Sequence, residues 1–303
     1  TDTGGATSPK DYTDIINNTK QDIENIVVLV GGIDSYTVLL LHGDGTDAST
    51  TITDSETTPK TVTAVGNAQI DTAKVKFGTG SILFDGTGDY LTTLDHADWY
   101  FAAAPFTIDF WWELVANGDN GICGQYVDAN NYWYLYATVA DLYGVSKRVT
   151  FYFKIVSGGV TKANYSGIAY GSTAMFYHYA LVRNGTSVYL FYSGYSVTFT
   201  EATAISTNEV PNLAAVLEVG ACSNHGMVIN GWLDEFRISK GVARWIANFT
   251  PPSVPYTAEM STWLVGSPRP LQGLKYYIKT GNTVASTMTG SEWNGSTWNA
   301  LTL

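Results

Sequence analysis

The sequence predicts an all-β protein: an antiparallel jelly-roll β-sandwich with a short coiled-coil helix before it and a small β tail after it. Three observations carry that expectation. Charged residues make up only 14 % of the 303-residue chain and hydrophobic residues 45 %, against a usual charged share of about 25 %. Thr, Ser, Asn, Gly and Tyr must therefore cover the surface, which suits strands and polar turns rather than charged helices. Residues 34–257 break into short apolar runs separated by turn residues, with no sustained helical period. Residues 9–33 alone carry a heptad pattern.

In chain order, residues 1–8 form a polar lead. Ser8 fits a helix N-cap, Pro9 the first helical position and Asp11 the first turn. Tyr12, Ile16, Thr19, Ile23, Ile26 and Val30 then recur at alternating steps of four and three, and Gly31-Gly32 ends the run. Such a seam, roughly 30 Å long at ~1.5 Å per residue, is not stable alone in water. It predicts either packing on the β domain or a coiled coil between identical chains. Isoleucine at both core positions favours three or more strands, and a homotrimer is expected, with Tyr12, Ile16, Ile23, Ile26 and Val30 as its contact residues.

The sandwich, residues 34–257, is read from runs such as "YTVLLLH", "FTIDFWWELV", "YWYLYATV", "VTFYFKIV" and "GWLDEFRIS". In 106–115, Phe106, Ile108, Phe110 and Trp112 alternate with Thr107, Asp109, Trp111 and Glu113, the period of a strand with one apolar face; Trp111 is the exception. Asp109 and Glu113 are thereby assigned to a solvent face. Asn184-Gly185 between two apolar runs signals a hairpin. Residues 258–303 read as a Pro-interrupted linker and small hairpin pieces, one turning at Asn294-Gly295 with Trp293 and Trp298 across from each other.

A net charge of −11 with no basic cluster argues against a nucleic-acid partner. No apolar run reaches the ~20 residues that span a bilayer, so no membrane insertion is expected. The chain opens on Thr1 without a signal-peptide pattern, as expected of a fragment or a processed chain. Cys123 and Cys222 sit in apolar runs as small hydrophobes, and a disulfide between them is left open.

"LLLHGDG" (39–45), "TDSE" (53–56), "AVGNAQIDTAKVKFGTGSILFDGTGDYLTT" (64–93), "FTIDFWWEL" (106–114), "HYALVRNGTSVYLFYSG" (178–194), "LEVGA" (217–221) and "NGWLDEFRISKGVARWIANFTPP" (230–252) together resemble laminin-G-like, concanavalin A-like jelly-roll domains. In particular they resemble the versions found in bacteriophage tail and other virion proteins. The resemblance spans about 36–255 and covers neither the helix nor the tail. It implies two antiparallel sheets, a carbohydrate-binding or adhesive role in many members, and a structural calcium ion in many of them.

Catalytic patterns are weak. Hydrolysis of a glycoside needs two carboxylates facing one cleft, and adjacent Asp234 and Glu235 would point to opposite faces of a regular strand. No GxSxG, HExxH or P-loop occurs, and His178 between two tyrosines reads as structural. Calcium takes oxygen ligands, and Asp44, Asp85, Asp89 and Asp234 beside glycines are the candidate set for one structural Ca2+. Glycan recognition needs aromatic faces with amides and carboxylates nearby. Tyr126, Asp128, Asn130, Asn131, Tyr132 and Trp133 form the densest such cluster, with Trp99 a further candidate. Trp232, Leu233, Phe236 and Ile238 are candidate core residues.

The expected protein is a non-enzymatic phage fibre or tail component on the virion surface. It is trimeric, with other virion proteins as partners. Its jelly roll binds host surface glycan or serves as a structural module. A secreted, extracellular lectin-like adhesin of bacteria is the alternative, and a glycoside hydrolase the third.

Overall fold

The computed structural model describes residues 33–222 and 224–257, together with the backbone of 290–293 and 298–301. The heptad residues Tyr12 to Val30 lie outside the described residues.

In chain order the strands are β1 (Thr37–Leu41), β2 (Val62–Val65), β3 (Gln69–Asp71), β4 (Ser81–Asp85), β5 (Tyr90–Thr93), β6 (Phe106–Leu114), β7 (Gly118–Asp128), β8 (Asn131–Tyr143), β9 (Ser146–Ser157), β10 (Val160–Ser172), β11 (Tyr177–Asn184), β12 (Ser187–Tyr192), β13 (Tyr195–Val197), β14 (Phe199–Thr203), β15 (Leu217–Val219), β16 (Ala221–Cys222), β17 (Met227–Val228) and β18 (Asn230–Lys240). Among the described residues the one helical element is a 3-10 turn at Ala97–Trp99. One sheet runs β13-β12-β11-β6-β18-β4-β3, with β1 also paired to β18; the second runs β14-β10-β9-β8-β7-β15-β5-β2. Neighbours distant in sequence, such as β6 beside β18 and β5 beside β15, pair antiparallel. The expected all-β sandwich is thus present as two antiparallel sheets.

The sheets meet through the apolar side of each strand. Phe106, Ile108, Phe110, Trp112 and Leu114 of β6 join Trp133, Leu135 and Ala137 of β8 and Phe151, Phe153 and Ile155 of β9 in one core. Phe106 and Phe153 lie 6.0 Å apart across it, and Phe110 and Phe151 6.4 Å. The β11–β12 hairpin forms as expected, but Asn184 pairs with Ser187, so the loop is Gly185-Thr186 with Gly185 at φ 60°. Both cysteines are free and buried.

The outer face of the first sheet is not a solvent face. Asp109, Trp111 and Glu113 of β6 are all buried, because two chain segments lie over them. Residues 72–78 bring Lys74 onto Glu113 and Phe77 against the Trp111 ring at 5.6 Å. Residues 241–257 bring the Tyr256 hydroxyl to Asp109 and the Val242 carbonyl within 3.1 Å of the Thr107 hydroxyl. Trp111 breaks the polar alternation for this reason: its outer face is covered.

Along β18 the pairing with β6 slips between Asp234 and Arg237, and Glu235 takes φ 51°. This bulge resets the alternation. Leu233, Phe236 and Ile238 all reach the core, while Arg237 turns outward to Asp109. Trp232 does not join them. It is half-buried and donates from Nε1 to Asp71 at 2.8 Å.

Two further strands, β19 (Gly290–Trp293) and β20 (Trp298–Leu301), form a separate antiparallel pair with Trp293 opposite Trp298.

Candidate functional site

The loop cluster singled out from the sequence divides into three. Trp133 and Trp99 are fully buried core residues and offer no face to a ligand; Trp133 donates to Gln125 at 3.1 Å and Trp99 to the Leu94 carbonyl at 3.0 Å. Alternation places Trp133 on the inner side of β8, with Leu135 and Ala137. Asp128, Asn130 and Asn131 build the β7–β8 turn. Asp128 accepts from the Asn130 amide at 2.7 Å, and Asn131 accepts from the Gly158 amide at 3.0 Å, the turn chemistry these residues favour. Tyr126 and Tyr132 remain, on the outer side of the second sheet, at the start of a longer feature.

That feature is a row of tyrosines. Tyr132, Tyr134 and Tyr136 occupy the outward positions of β8, Tyr126 faces Tyr132 from β7, and Tyr152 faces Tyr136 from β9. Tyr126 and Tyr132 stack at 5.9 Å, Tyr132 and Tyr134 at 4.8 Å, and Tyr136 and Tyr152 at 4.6 Å, while Tyr134 meets Tyr136 edge-on at 5.4 Å. Such offset and edge contacts fix ring geometry. Tyr126, Tyr134, Tyr136 and Tyr152 are half-buried. Lys154 extends over Tyr132 at 5.8 Å. Beneath the row, Gly124 lies opposite Tyr134, where a Cβ would come within 2.9 Å of the Tyr134 Cβ.

The β16–β17 hairpin forms one wall. It sits so close to Gly121 that a Cβ there would lie 2.5 Å from the Cys222 amide nitrogen and from the Met227 carbonyl oxygen. At the other end the row runs into a depression of about 510 Å³ lined in part by Arg148, Thr150, Ser166, Tyr170, Thr198 and Thr200. Burial pushes the Tyr136 hydroxyl up to about 12, helped by Tyr152 and Asp119. Burial and a hydrogen bond with Tyr132 raise Tyr134 further. Both phenols stay neutral at physiological pH, able to donate and accept. The face thus offers flat apolar rings edged with hydroxyls. Sequence reasoning missed Tyr134, Tyr136 and Tyr152 because it followed density along the loop. The alternation of "YWYLYATV" against "TFYFKIV" was the signal that puts them on one side.

The four candidate metal ligands do not converge. Asp89 accepts from the Asn67 and Asp85 amides at 2.8 and 2.9 Å, and Asp85 from the Thr87 amide at 2.7 Å. Asp85 stands opposite Asn230, four residues along β18 from Asp234, or roughly 13 Å at ~3.3 Å per residue. Asp44 accepts from the Thr79 amide and, at 3.0 Å, its hydroxyl. Wholly buried Asp234 accepts from the Lys76 and Phe77 amides at 2.9 and 3.1 Å through Oδ2, while Oδ1 has no partner. Burial, with the Glu235 and Asp44 charges nearby, pushes Asp234 up to about 8. Among the described residues no three His, Cys, Asp or Glu side chains are placed to hold a metal ion. The set as a whole does not fit one calcium ion; Asp234 is the one buried member with a carboxylate oxygen that accepts nothing.

Asp109 and Glu235, buried acids of the first sheet, are engaged in ion pairs. Arg237 donates to Asp109 from Nε at 3.0 Å and from Nη2 at 3.2 Å, and its guanidinium lies 3.6 Å from the Tyr256 ring centre. His178 Nε2 is 3.5 Å from Asp109, and burial lowers the histidine from its ordinary range. Glu235 binds His42 at 2.6 Å and the Tyr256 amide at 2.8 Å. These contacts fasten residues 241–257 to the sheet.

No family model and no curated protein matches the chain. Solved structures similar to it include the binding domain of botulinum neurotoxin serotype D, at 15 % identity and TM-score 0.46 over 70 % of this chain and 49 % of that one. Domain 4 of AbnA, an extracellular arabinanase from Geobacillus stearothermophilus, in complex with arabinotriose, is similar at 16 % identity and TM-score 0.44 over 68 % of this chain and 93 % of that one. Domains LG4-5 of the mouse laminin alpha1 chain are similar at 13 % identity and TM-score 0.38 over 58 % of this chain and 47 % of that one. The chain thus spans about half the length of the first solved structures it matches, 48 and 49 %.

Proposed function

We propose that the sandwich is a non-enzymatic carbohydrate-binding module and that sugar rings lie along the tyrosine row. The observation that carries this reading is the series Tyr126, Tyr132, Tyr134, Tyr136 and Tyr152, with Tyr132 buried and the other four half-buried, held ring against ring on the outer side of the second sheet. A polar ring with apolar C–H faces gains from stacking on such surfaces, and the phenol hydroxyls meet its hydroxyls. Glycoside hydrolysis needs two facing carboxylates. Among the described residues the row has Asp119 beside it, accepting from the Thr138 hydroxyl at 2.7 Å, and Glu218 across Gly124 from Tyr134, paired with His225 at 2.7 Å.

The heptad seam at Tyr12–Val30 supports placing the module on a trimeric phage fibre or tail at the virion surface, with host surface glycan as ligand.

The test is a glycan array probed with the full chain, with solution mass measured on the same sample. A defined sugar hit that Tyr136→Ala weakens by about tenfold, ~1.4 kcal/mol, supports the reading. A hit that survives both Tyr134→Ala and Tyr136→Ala moves the ligand elsewhere.

A further inference from the structure

We propose that the depression at the end of the tyrosine row is a subsite for an anionic group carried by the glycan, with Arg148 as its counter-charge. The inference rests on the carbohydrate reading of the row and specifies the class of sugar: one bearing a carboxylate or a sulfate.

Continuity comes first. Tyr152 closes the row on β9, its cross-strand partner on β10 is Ser166, and the next outward residue on β9 is Thr150. Ser166 and Thr150 both line the depression. Arg148 is the next outward residue again, four positions from Tyr152, or roughly 13 Å at ~3.3 Å per residue. A chain of sugars lying on Tyr136 and Tyr152 therefore leads to Arg148 with no strand in between. The intervening surface is hydroxyl-rich, with Thr150, Ser166, Thr198 and Thr200 along it.

The charge argument is independent of that path. Arg183 donates to the Gly185 and Ala102 carbonyls at 3.0 Å and to Asn208 at 2.7 Å. Arg237 is held by Asp109, and Arg244 by Asp34 at 2.8 Å. Arg148 alone among the described arginines has no side-chain hydrogen bond or ion pair. The nearby carboxylate on β8, Asp141, is already taken by Lys147 and by Asn117 at 2.8 Å. In a chain of net charge −11, an exposed guanidinium left unpaired within a sheet, on the wall of a depression, is a ready partner for an oxyanion. Its planar fork binds two oxygens at once. A guanidinium placed only for solubility would have no reason to prefer acidic sugars, and that difference can be measured.

The experiment is affinity electrophoresis of the full chain in gels containing polygalacturonate, dextran sulfate or uncharged dextran. The wild type should be retarded more by an anionic polymer than by dextran, and salt should weaken only the anionic interaction. Arg148→Gln should weaken the anionic interaction about tenfold and leave dextran retardation as it was; Arg148→Lys should recover part of it. Retardation by polygalacturonate assigns a carboxylate, and retardation by dextran sulfate alone assigns a sulfate. Equal retardation of Arg148→Gln and wild type by the anionic polymers, with Tyr136→Ala losing all three, overturns the subsite and leaves the tyrosine reading standing. Retardation by none of the three overturns both.

Discussion

Replacing Asp109 by Asn tests whether the buried ion pair fastens residues 241–257 to the first sheet. Asp109 is fully buried and Arg237 is 2 % exposed. Asn keeps the shape of the carboxylate and removes its charge. The guanidinium then stays buried against the Tyr256 ring and loses the carboxylate that it donates to through Nε and Nη2, and the Tyr256 hydroxyl loses a charged acceptor. Breaking a buried pair by removing one partner costs about 3–5 kcal/mol, roughly 6–20 °C in melting temperature for a domain of this size. Replacing both partners removes the buried guanidinium together with its carboxylate, so Asp109→Leu with Arg237→Met should cost far less than the sum of the single changes. Urea unfolding of the two single variants and the double variant gives the coupling directly. A loss below about 1 kcal/mol for Asp109→Asn, or a double variant as damaged as the sum, would show that the pair is solvated and that the strap is held by something else.

Asp109 and His178 should each lose a stabilising contribution in acid. The Arg237 guanidinium, with His178 adding to it, overcomes burial and holds Asp109 at about 2 against an ordinary 3.8. A carboxylate depressed on folding stabilises above its unfolded value and loses that contribution as pH falls through the folded one, here ~2.5 kcal/mol between about pH 4 and 2. Burial lowers His178, so the unfolded state takes up its proton first and the His178 contribution falls below about pH 6.5. Asp234 contributes in the opposite sense: burial raises it to about 8, and it adds stability as pH falls from about 8 towards 4. His178→Phe should remove the His178 loss and leave the Asp234 gain in pH-dependent urea midpoints. Gly121→Ala should cost about 1–3 kcal/mol, because its Cβ meets the β16–β17 backbone at 2.5 Å; unchanged stability would mean the hairpin is not seated there. Trp133→Ala should cost about 3–5 kcal/mol through the cavity it leaves and leave glycan affinity of the folded fraction unchanged, which isothermal titration can check.

The sandwich was legible in the sequence because its core obeys a period of two. Phe106, Ile108, Phe110 and Trp112 alternate in the chain and share one face in the structure. What misled was the assumption that the other face meets water. Asp109, Trp111 and Glu113 are covered by residues far away in sequence, 72–78 and 241–257, and no local pattern announces a covering segment. Glu235 misled in another way. Its left-handed φ inserts a bulge, so Leu233 and Phe236 share a face that strict alternation would deny them.

The binding face shows why residue density is a poor guide to a site on a sheet. Asp128, Asn130 and Asn131 cluster in sequence because a turn needs them, and their polar atoms are spent on it. Tyr134, Tyr136 and Tyr152 are scattered over two strands, yet pairing of β8 with β9 brings Tyr136 and Tyr152 directly opposite. Trp133 sits between two of these tyrosines in the chain and points the other way. One step along a strand separates a stacking surface from the core. A site on a β-face must therefore be read across strands, at a fixed parity, and only then for aromatic and charged residues. Read that way, the outward residues of β9, Arg148, Thr150, Tyr152 and Lys154, already spell a hydroxyl and aromatic surface with a cation at each end.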